Sequence, residues 1–234
     1  MAKKLSEIAK RVESSEILFY NYLFAHLNEQ VRYLIISLSE QTEVYIFSGI
    51  IRNFFLNTSS NRDIDIVLER EVELETIFAN CVIKKNSFGG YKIFVEDITL
   101  DIWFLQNTWA LKTQPVLNFE LEKYIPSTAF FNFSSIVFSL NKKEFYFTKH
   151  FLRFLRDKKL DVVYKPNANY SLCIVNTFYY SEKFNLRISD SLKHYIYDLY
   201  KKIGTNYQEI QIKHFGSILY SDEDISMKIS SLNQ

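Results

Sequence analysis

Glycine occurs five times and proline three times in 234 residues, too few for a low-complexity chain or for flexible linkers between domains. The two cysteines, Cys81 and Cys173, lie in apolar runs with neither pairing pattern nor zinc spacing. That excludes a disulfide framework and reads as two buried thiols of a reducing compartment. His26, His150, His194 and His214 form no His-Glu-x-x-His pair and no Cys/His cluster. A Gly-x-x-x-x-Gly-Lys-Ser/Thr loop and a serine or cysteine nucleophile elbow are also missing, which removes P-loop and triad chemistry. No window approaches the roughly 18 uncharged apolar residues of a membrane span, and Met-Ala-Lys-Lys-Leu-Ser-Glu carries no apolar signal core. The expectation is a cytoplasmic protein without a membrane partner. A net charge of +1 leaves no global signature of polyanion binding.

Hydrophobic residues, by contrast, make up 47% of the chain and aromatic residues 17%, enough for a core that needs no staples. The length suits one large domain or one domain with a helical appendage. Ile8, Val12, Ile17, Leu18, Leu23, Leu27, Val31 and Leu34 recur at helical spacing through residues 5–38. Strand patterns follow at 44–47, 63–68, 81–84, 91–95 and 99–105, with a short helix over 71–80 and a tight turn at Gly89-Gly90 that calls for positive φ. A second hairpin is expected around Asn141-Lys142-Lys143. Helices are then expected over 149–156, 171–184 and 189–203, the last stopped by Gly204. The tail beyond Asp222 is polar and is expected to fray. Residues 142–165 concentrate eight Lys or Arg against Glu144, Asp157 and Asp161, which suits either a phosphate-facing patch or a solvated helix face.

The chemistry-bearing stretch is 47–69. Phe47-Ser48-Gly49-Ile50-Ile51-Arg52-Asn53 leads into an apolar helix, and Asp63-Ile64-Asp65-Ile66 follows on a strand. Residues i and i+2 of a strand share a face, so Asp63 and Asp65 project together while Ile64 and Ile66 point into the core. A third carboxylate, Asp101, stands in the strand Ile-Thr-Leu-Asp-Ile-Trp-Phe-Leu, with Trp103 on its own face. Three carboxylates in this arrangement suit a pair of Mg²⁺ ions about 3.5–4 Å apart, which would neutralise charge as a nucleotide is transferred from a triphosphate. Gly49 lets backbone N–H groups and the following helix N-terminus approach phosphates. Ser48 adds a hydroxyl donor and Arg52 a cation one turn into the helix.

These residues resemble the head domain of the poly(A) polymerase and CCA-adding tRNA nucleotidyltransferase family, in its bacterial branch. The family's Gly-Gly-x-Val-Arg-Asp and Asp-Ile-Asp-Ile elements stand here as Ser48-Gly49-Ile50-Ile51-Arg52-Asn53 and Asp63-Ile64-Asp65-Ile66. The resemblance implies that Asp63 and Asp65 are metal ligands and Arg52 a triphosphate contact. Asp101 resembles the third carboxylate of the wider DNA-polymerase-beta-like superfamily. The likeness spans roughly residues 43–203 and is densest over 47–68.

It also has gaps. The family's Arg-Arg-Asp stands here as Phe130-Phe131-Asn132, and the base-reading Glu-Asp-x-x-Arg of its neck has no counterpart near Ala168–Cys173, where Asn169 and Asn176 are the polar residues. The expected fold is α+β: a nucleotidyltransferase head, a mixed sheet with flanking helices, plus a helical neck. The expected division is an N-terminal helical region at 1–42, the head at 43–147 and a neck-like helical region at 148–234. The expected function is Mg²⁺-dependent transfer of a nucleotide from an NTP to an RNA end, a tRNA-like acceptor above all, with release of pyrophosphate. Two alternatives stand beside it: transfer to a protein or small molecule, and a non-catalytic nucleotide-binding module that works with a protein partner.

Overall fold

The computed structural model describes residues 4–47, 49–58, 63–86, 89–113, 121–167, 169–204 and 206–232. Two compact units make up the chain, one formed by Met1–Ala129 with Phe133–Arg156, the other by Phe130–Asn132 with Asp157–Gln234.

The first unit opens with three helices, α1 (Leu5–Glu13), α2 (Glu16–Ala25) and α3 (Glu29–Gln41), where one continuous helical pattern runs in the sequence. The breaks are local. The Ser15 hydroxyl donates back to the Val12 carbonyl, and Asn28 caps α3 by accepting from the Val31 N–H at 2.8 Å. After α3 come β1 (Val44–Phe47), α4 (Gly49–Leu56), β2 (Asp63–Leu68) and a single helical turn, α5 (Leu74–Ile77), shorter than the helix expected there. Then follow β3 (Val82–Lys85), β4 (Tyr91–Val95), β5 (Ile98–Phe104), α6 (Trp109–Thr113), α7 (Leu121–Ser127), β6 (Ile136–Ser139), β7 (Glu144–Phe147) and α8 (Lys149–Asp157). Seven strands form one sheet in the order β3-β4-β5-β2-β1-β6-β7. The β2–β5 pair is parallel and the other pairs are antiparallel, so the sheet is mixed, as expected.

Alternation along the strands gives the sheet two unlike faces. One carries Ile46, Ile64, Ile66, Ile93, Leu100, Ile102 and Phe138, all buried. Above it, Phe19 of α2 meets Phe54 of α4, Phe138 of β6 and Phe145 of β7 at ring-centroid distances of 5.3, 4.9 and 5.0 Å. Phe55 joins Phe145 and Phe151 of α8. In this aromatic cluster, large rings seal the joint between helices and sheet. The other face holds a smaller core of Tyr45, Val67, Leu105, Ile125 and Val137, with Phe47, Leu111 and Tyr146 packed against it. That core covers part of the face and leaves the rest to polar residues.

The turn between β3 and β4 has Gly89 at φ +83°, and the Asn86 side chain accepts from the Gly90 N–H at 2.9 Å. On α8, Phe151, Leu152 and Phe154 are buried while Lys149, Arg153 and Arg156 are exposed, so this part of the basic run is a solvated helix face.

The second unit contains a two-stranded parallel ladder, β8 (Lys159–Leu160) with β9 (Arg187–Ile188), and four helices: α9 (Tyr170–Lys183), α10 (Asp190–Ile203), α11 (Gln208–Phe215) and α12 (Asp222–Ser231). Asn169 caps α9, Ser189 caps α10, and Gly204 ends α10 at φ +77°. The tail corrects an expectation. Instead of fraying after Asp222, the chain forms α12 behind a capping box in which Ser221 and Asp224 each accept from the other's backbone N–H. Ile225 and Ile229, one turn apart, are buried. Lys228 and Tyr220 both bond the Glu182 carboxylate on α9, and the buried Gln211 side chain satisfies four backbone groups at Tyr207, Leu219 and Tyr220.

Candidate active site

Strand β2 lies at the middle of the sheet because Ile64, Ile66, Val67 and Leu68 are apolar enough to be buried there. Alternation turns Asp63 and Asp65 to the opposite face, Asp63 exposed and Asp65 half-buried. The parallel ladder sets Asp65 directly beside Asp101 of β5, and Asp63 beside Thr99. Asp63, Asp65 and Asp101 therefore share one face on two adjacent strands. Paired residues in the neighbouring ladders extend the row. Phe47 of β1 is opposite Asp65, Lys92 of β4 is opposite Asp101, and Lys84 of β3 is opposite Lys92. Across five strands the row is Phe47, Asp65, Asp101, Lys92, Lys84.

Lys92 is the residue that sequence reasoning missed. Its Nζ lies 3.2 Å from Asp101 Oδ2. The alternation of Tyr91-Lys92-Ile93-Phe94-Val95 was enough to put Lys92 on the face opposite Ile93. Its partner depends on β4–β5 register, which no local pattern encodes. Burial pushes the Asp101 carboxyl above the usual carboxylate range. Lys92 pulls the other way through attraction and a hydrogen bond, and the negative charge of Asp63 adds to the upward push.

Trp103, two residues beyond Asp101, lies against the backbone of Gly90. A Cβ at Gly90 would come within 2.4 Å of the indole Nε1 and 2.9 Å of the Ile102 carbonyl oxygen. Glycine there is a requirement of close approach. The indole also meets the edge of Phe47 at 5.9 Å.

Of the phosphate-side residues, Gly49 is the first residue of α4, and Ser48 lies outside the described residues. Arg52 is buried, with its Nε donating to Asn53 Oδ1 at 3.1 Å and its guanidinium carbon 5.1 Å from the Phe133 ring centroid. In the second unit, Phe130-Phe131-Asn132 is structural. Phe131 bridges Val162, and the Asn132 side chain bonds the Lys159 carbonyl and the Asp161 N–H. Asn169 is committed to its helix cap. Cys173 is buried, with its thiol pushed up to about 12 by desolvation; Cys81 is only half-buried, contrary to the expectation of two buried thiols.

The donor set consists of hard carboxylate oxygens, the kind that suits Mg²⁺ or Mn²⁺. Among the described residues, however, no group of three or more His, Cys, Asp or Glu side chains is arranged to hold a metal ion. Asp63 and Asp65 are two such carboxylates on one face of β2.

No family model matches the chain, and no curated protein matches it in sequence. Its fold, however, matches solved structures. A CCA-adding enzyme in complex with ATP superposes with a TM-score of 0.64 at 15% identity, over 90% of this chain and 53% of that one. The Thermotoga maritima CCA-adding enzyme complexed with tRNA gives the same figures. A tRNA nucleotidyltransferase complexed with a primer tRNA and an incoming ATP analogue gives a TM-score of 0.54 at 17% identity, over 73% of this chain and 50% of that one. The chain thus has the α+β fold of these enzymes and spans about half their length.

No described helix is long and apolar enough to cross a membrane.

Proposed function

We propose that the chain is a metal-dependent nucleotidyltransferase that moves a nucleotide from an NTP to an RNA end, tRNA-like above all, with release of pyrophosphate. The observation that carries this reading is the shared face of Asp63, Asp65 and Asp101, delivered by adjacent parallel strands on a fold common to solved nucleotidyltransferases. The catalytic head is assigned to residues 43–147.

Each residue has a role in this reading. Asp63 and Asp65 would hold Mg²⁺; when bound there, the cation supplies charge neutralisation on the phosphates and lowers the pKa of an attacking hydroxyl. The N-terminus of α4, opened by Gly49, offers backbone N–H groups to phosphate oxygens, with Ser48 and Arg52 assigned to the same triphosphate. Asp101 is assigned the role of taking the proton of the acceptor hydroxyl. Exposed Lys149, Arg153 and Arg156 on α8 give RNA phosphates a cationic face within the first unit. That relatives of this fold are solved with ATP, CTP and tRNA supports the choice of substrates.

The test incubates the purified protein with Mg²⁺, each α-labelled NTP in turn and total cellular RNA, beside an Asp63→Ala/Asp65→Ala double variant. Label in RNA with the wild type alone is expected. Label in a protein band or a small product would move the acceptor to that class. One second reading has its own support: the Lys92–Asp101 ion pair suits a nucleotide-binding module without transfer. NTP binding with no labelled product on any acceptor would select it.

A further inference from the structure

Toward β3 and β4, the acid-bearing face carries an apolar pair left open to water. Phe94 is directly opposite Val82, and the two residues are 38% and 57% exposed, whereas Ile93 and Val95, on either side of Phe94 in the chain, are buried on the other face. Two lysines share the face with the ring. Lys92 is two residues before it on β4, and the exposed Lys84 of β3 has its Nζ 5.4 Å from the Phe94 ring centroid. Lys84 and Lys92 are directly opposite each other, and like charges in opposed cross-strand positions repel. An anion between them removes that repulsion. An uncovered ring beside two cations is the combination that binds single-stranded nucleic acid: a base stacks on the ring, and a phosphate meets the ammonium groups. The register also places the ring with respect to the acids. Lys92 is directly opposite Asp101, so Phe94 is the diagonal neighbour of Asp101, with Cα atoms about 7–8 Å apart. Phe94 is itself opposite Thr99, which is beside Asp63. One nucleotide spans that interval: with its 3′-hydroxyl at Asp101, its base reaches the ring.

We propose that Phe94 is the stacking platform for the terminal, unpaired base of the RNA acceptor, with Lys84 holding a phosphate of the same strand. The choice of RNA as occupant rests on the nucleotidyltransferase reading above. Every base has a π-face, so the platform takes any of the four bases and positions the end of the strand rather than reading its sequence.

The test reads binding rather than turnover, by fluorescence anisotropy of a short, unstructured, 5′-labelled RNA on the full chain without NTP. Phe94→Leu, which keeps an apolar side chain but no ring, should weaken binding about tenfold, and Phe94→Trp should preserve it. An RNA that is abasic at its 3′-terminal nucleotide should bind the wild type about as weakly as intact RNA binds Phe94→Leu. That variant should lose little more on the abasic RNA, because both changes remove one and the same contact. Lys84→Gln should lower the slope of log affinity against log salt by about 0.7. Phe94 and Lys84 are both exposed, and thermal melting confirms the fold of each variant. Should Phe94→Leu not fold, the abasic RNA on the wild type still decides. Equal affinity of the wild type and folded Phe94→Leu, or no loss on removing the terminal base, overturns the proposal and leaves the nucleotidyltransferase reading in place. RNA bound through Phe94, with no nucleotide transferred to it in the labelling assay, upholds the platform and overturns the transferase reading.

Discussion

On one face of the central sheet, Ile46, Ile66, Leu100, Ile102 and Phe138 are sealed from water and joined to the helices above by a cluster of phenylalanine rings. On the other, residues on the same strands present Phe47, Asp65, Asp101 and Lys92 in a single row, with Asp63 one step along. The backbone is common to both, so the difference comes entirely from alternation. The apolar face contributes folding free energy and fixes the register; the polar face uses that register to hold like charges close together. Burying the Ile side of β2 is what keeps Asp65 and Asp101 adjacent on the other.

That division predicts separable damage. Asp63→Ala should lower nucleotide transfer by about 10³-fold, or about 4 kcal/mol of transition-state stabilisation, because ligands of one cation act as a unit. Asp63 is exposed, so stability should change by no more than about 0.5 kcal/mol in urea melts. On the other face of the same strand, Ile66→Ala should do the reverse. It removes a fully buried side chain and should cost about 3 kcal/mol of stability, with transfer by the folded fraction nearly intact. If Ile66→Ala abolished transfer without destabilising the protein, the division between the faces would fail.

Gly90→Ala sharpens the comparison at the edge of the row. The added methyl would collide with the Trp103 indole and the Ile102 carbonyl, which should cost about 1–2 kcal/mol. Because the indole must shift, near-ultraviolet dichroism should change with it.

The smallest effect expected is on pH dependence. Burial raises the folded-state pKa of Asp101 despite Lys92, so the folded protein holds that proton more tightly than the unfolded chain does. The contribution of Asp101 to stability is therefore complete below the unfolded carboxylate pKa and is lost as pH rises through the folded value. Asp101→Asn removes this titration. The stability of the wild type relative to the variant should fall between acid and neutral pH, measured by urea melts at stepped pH.

Local pattern carried part of this architecture. The i, i+2 placement of Asp63 and Asp65, the alternation that puts Trp103 beside Asp101, and the stop at Gly204 all follow from backbone periodicity and glycine conformation. Non-local register did not show in the sequence. The parallel β2–β5 pairing joins residues separated by β3 and β4, and the Lys92–Asp101 ion pair exists only once β4 has folded back on β5. The C-terminal helix was hidden for another reason. Its first turn is Asp222, Glu223 and Asp224, which reads as a solvated tail, while Ile225 and Ile229 are the two side chains that anchor it. Ser221 followed three residues later by Asp224 was the available signal, a capping box with aspartate in the position usually held by glutamate or glutamine.

The central claim is that the acid-bearing face of the sheet is where an NTP and its cation bind. The most direct measurement is a crystal structure with Mn²⁺ and a non-hydrolysable ATP analogue, using the anomalous signal of manganese. The account predicts a manganese peak held by Asp63 and Asp65, with the analogue's phosphates directed at the N-terminus of α4. Analogue and manganese bound elsewhere on the chain, with Asp63 and Asp65 untouched, would contradict it.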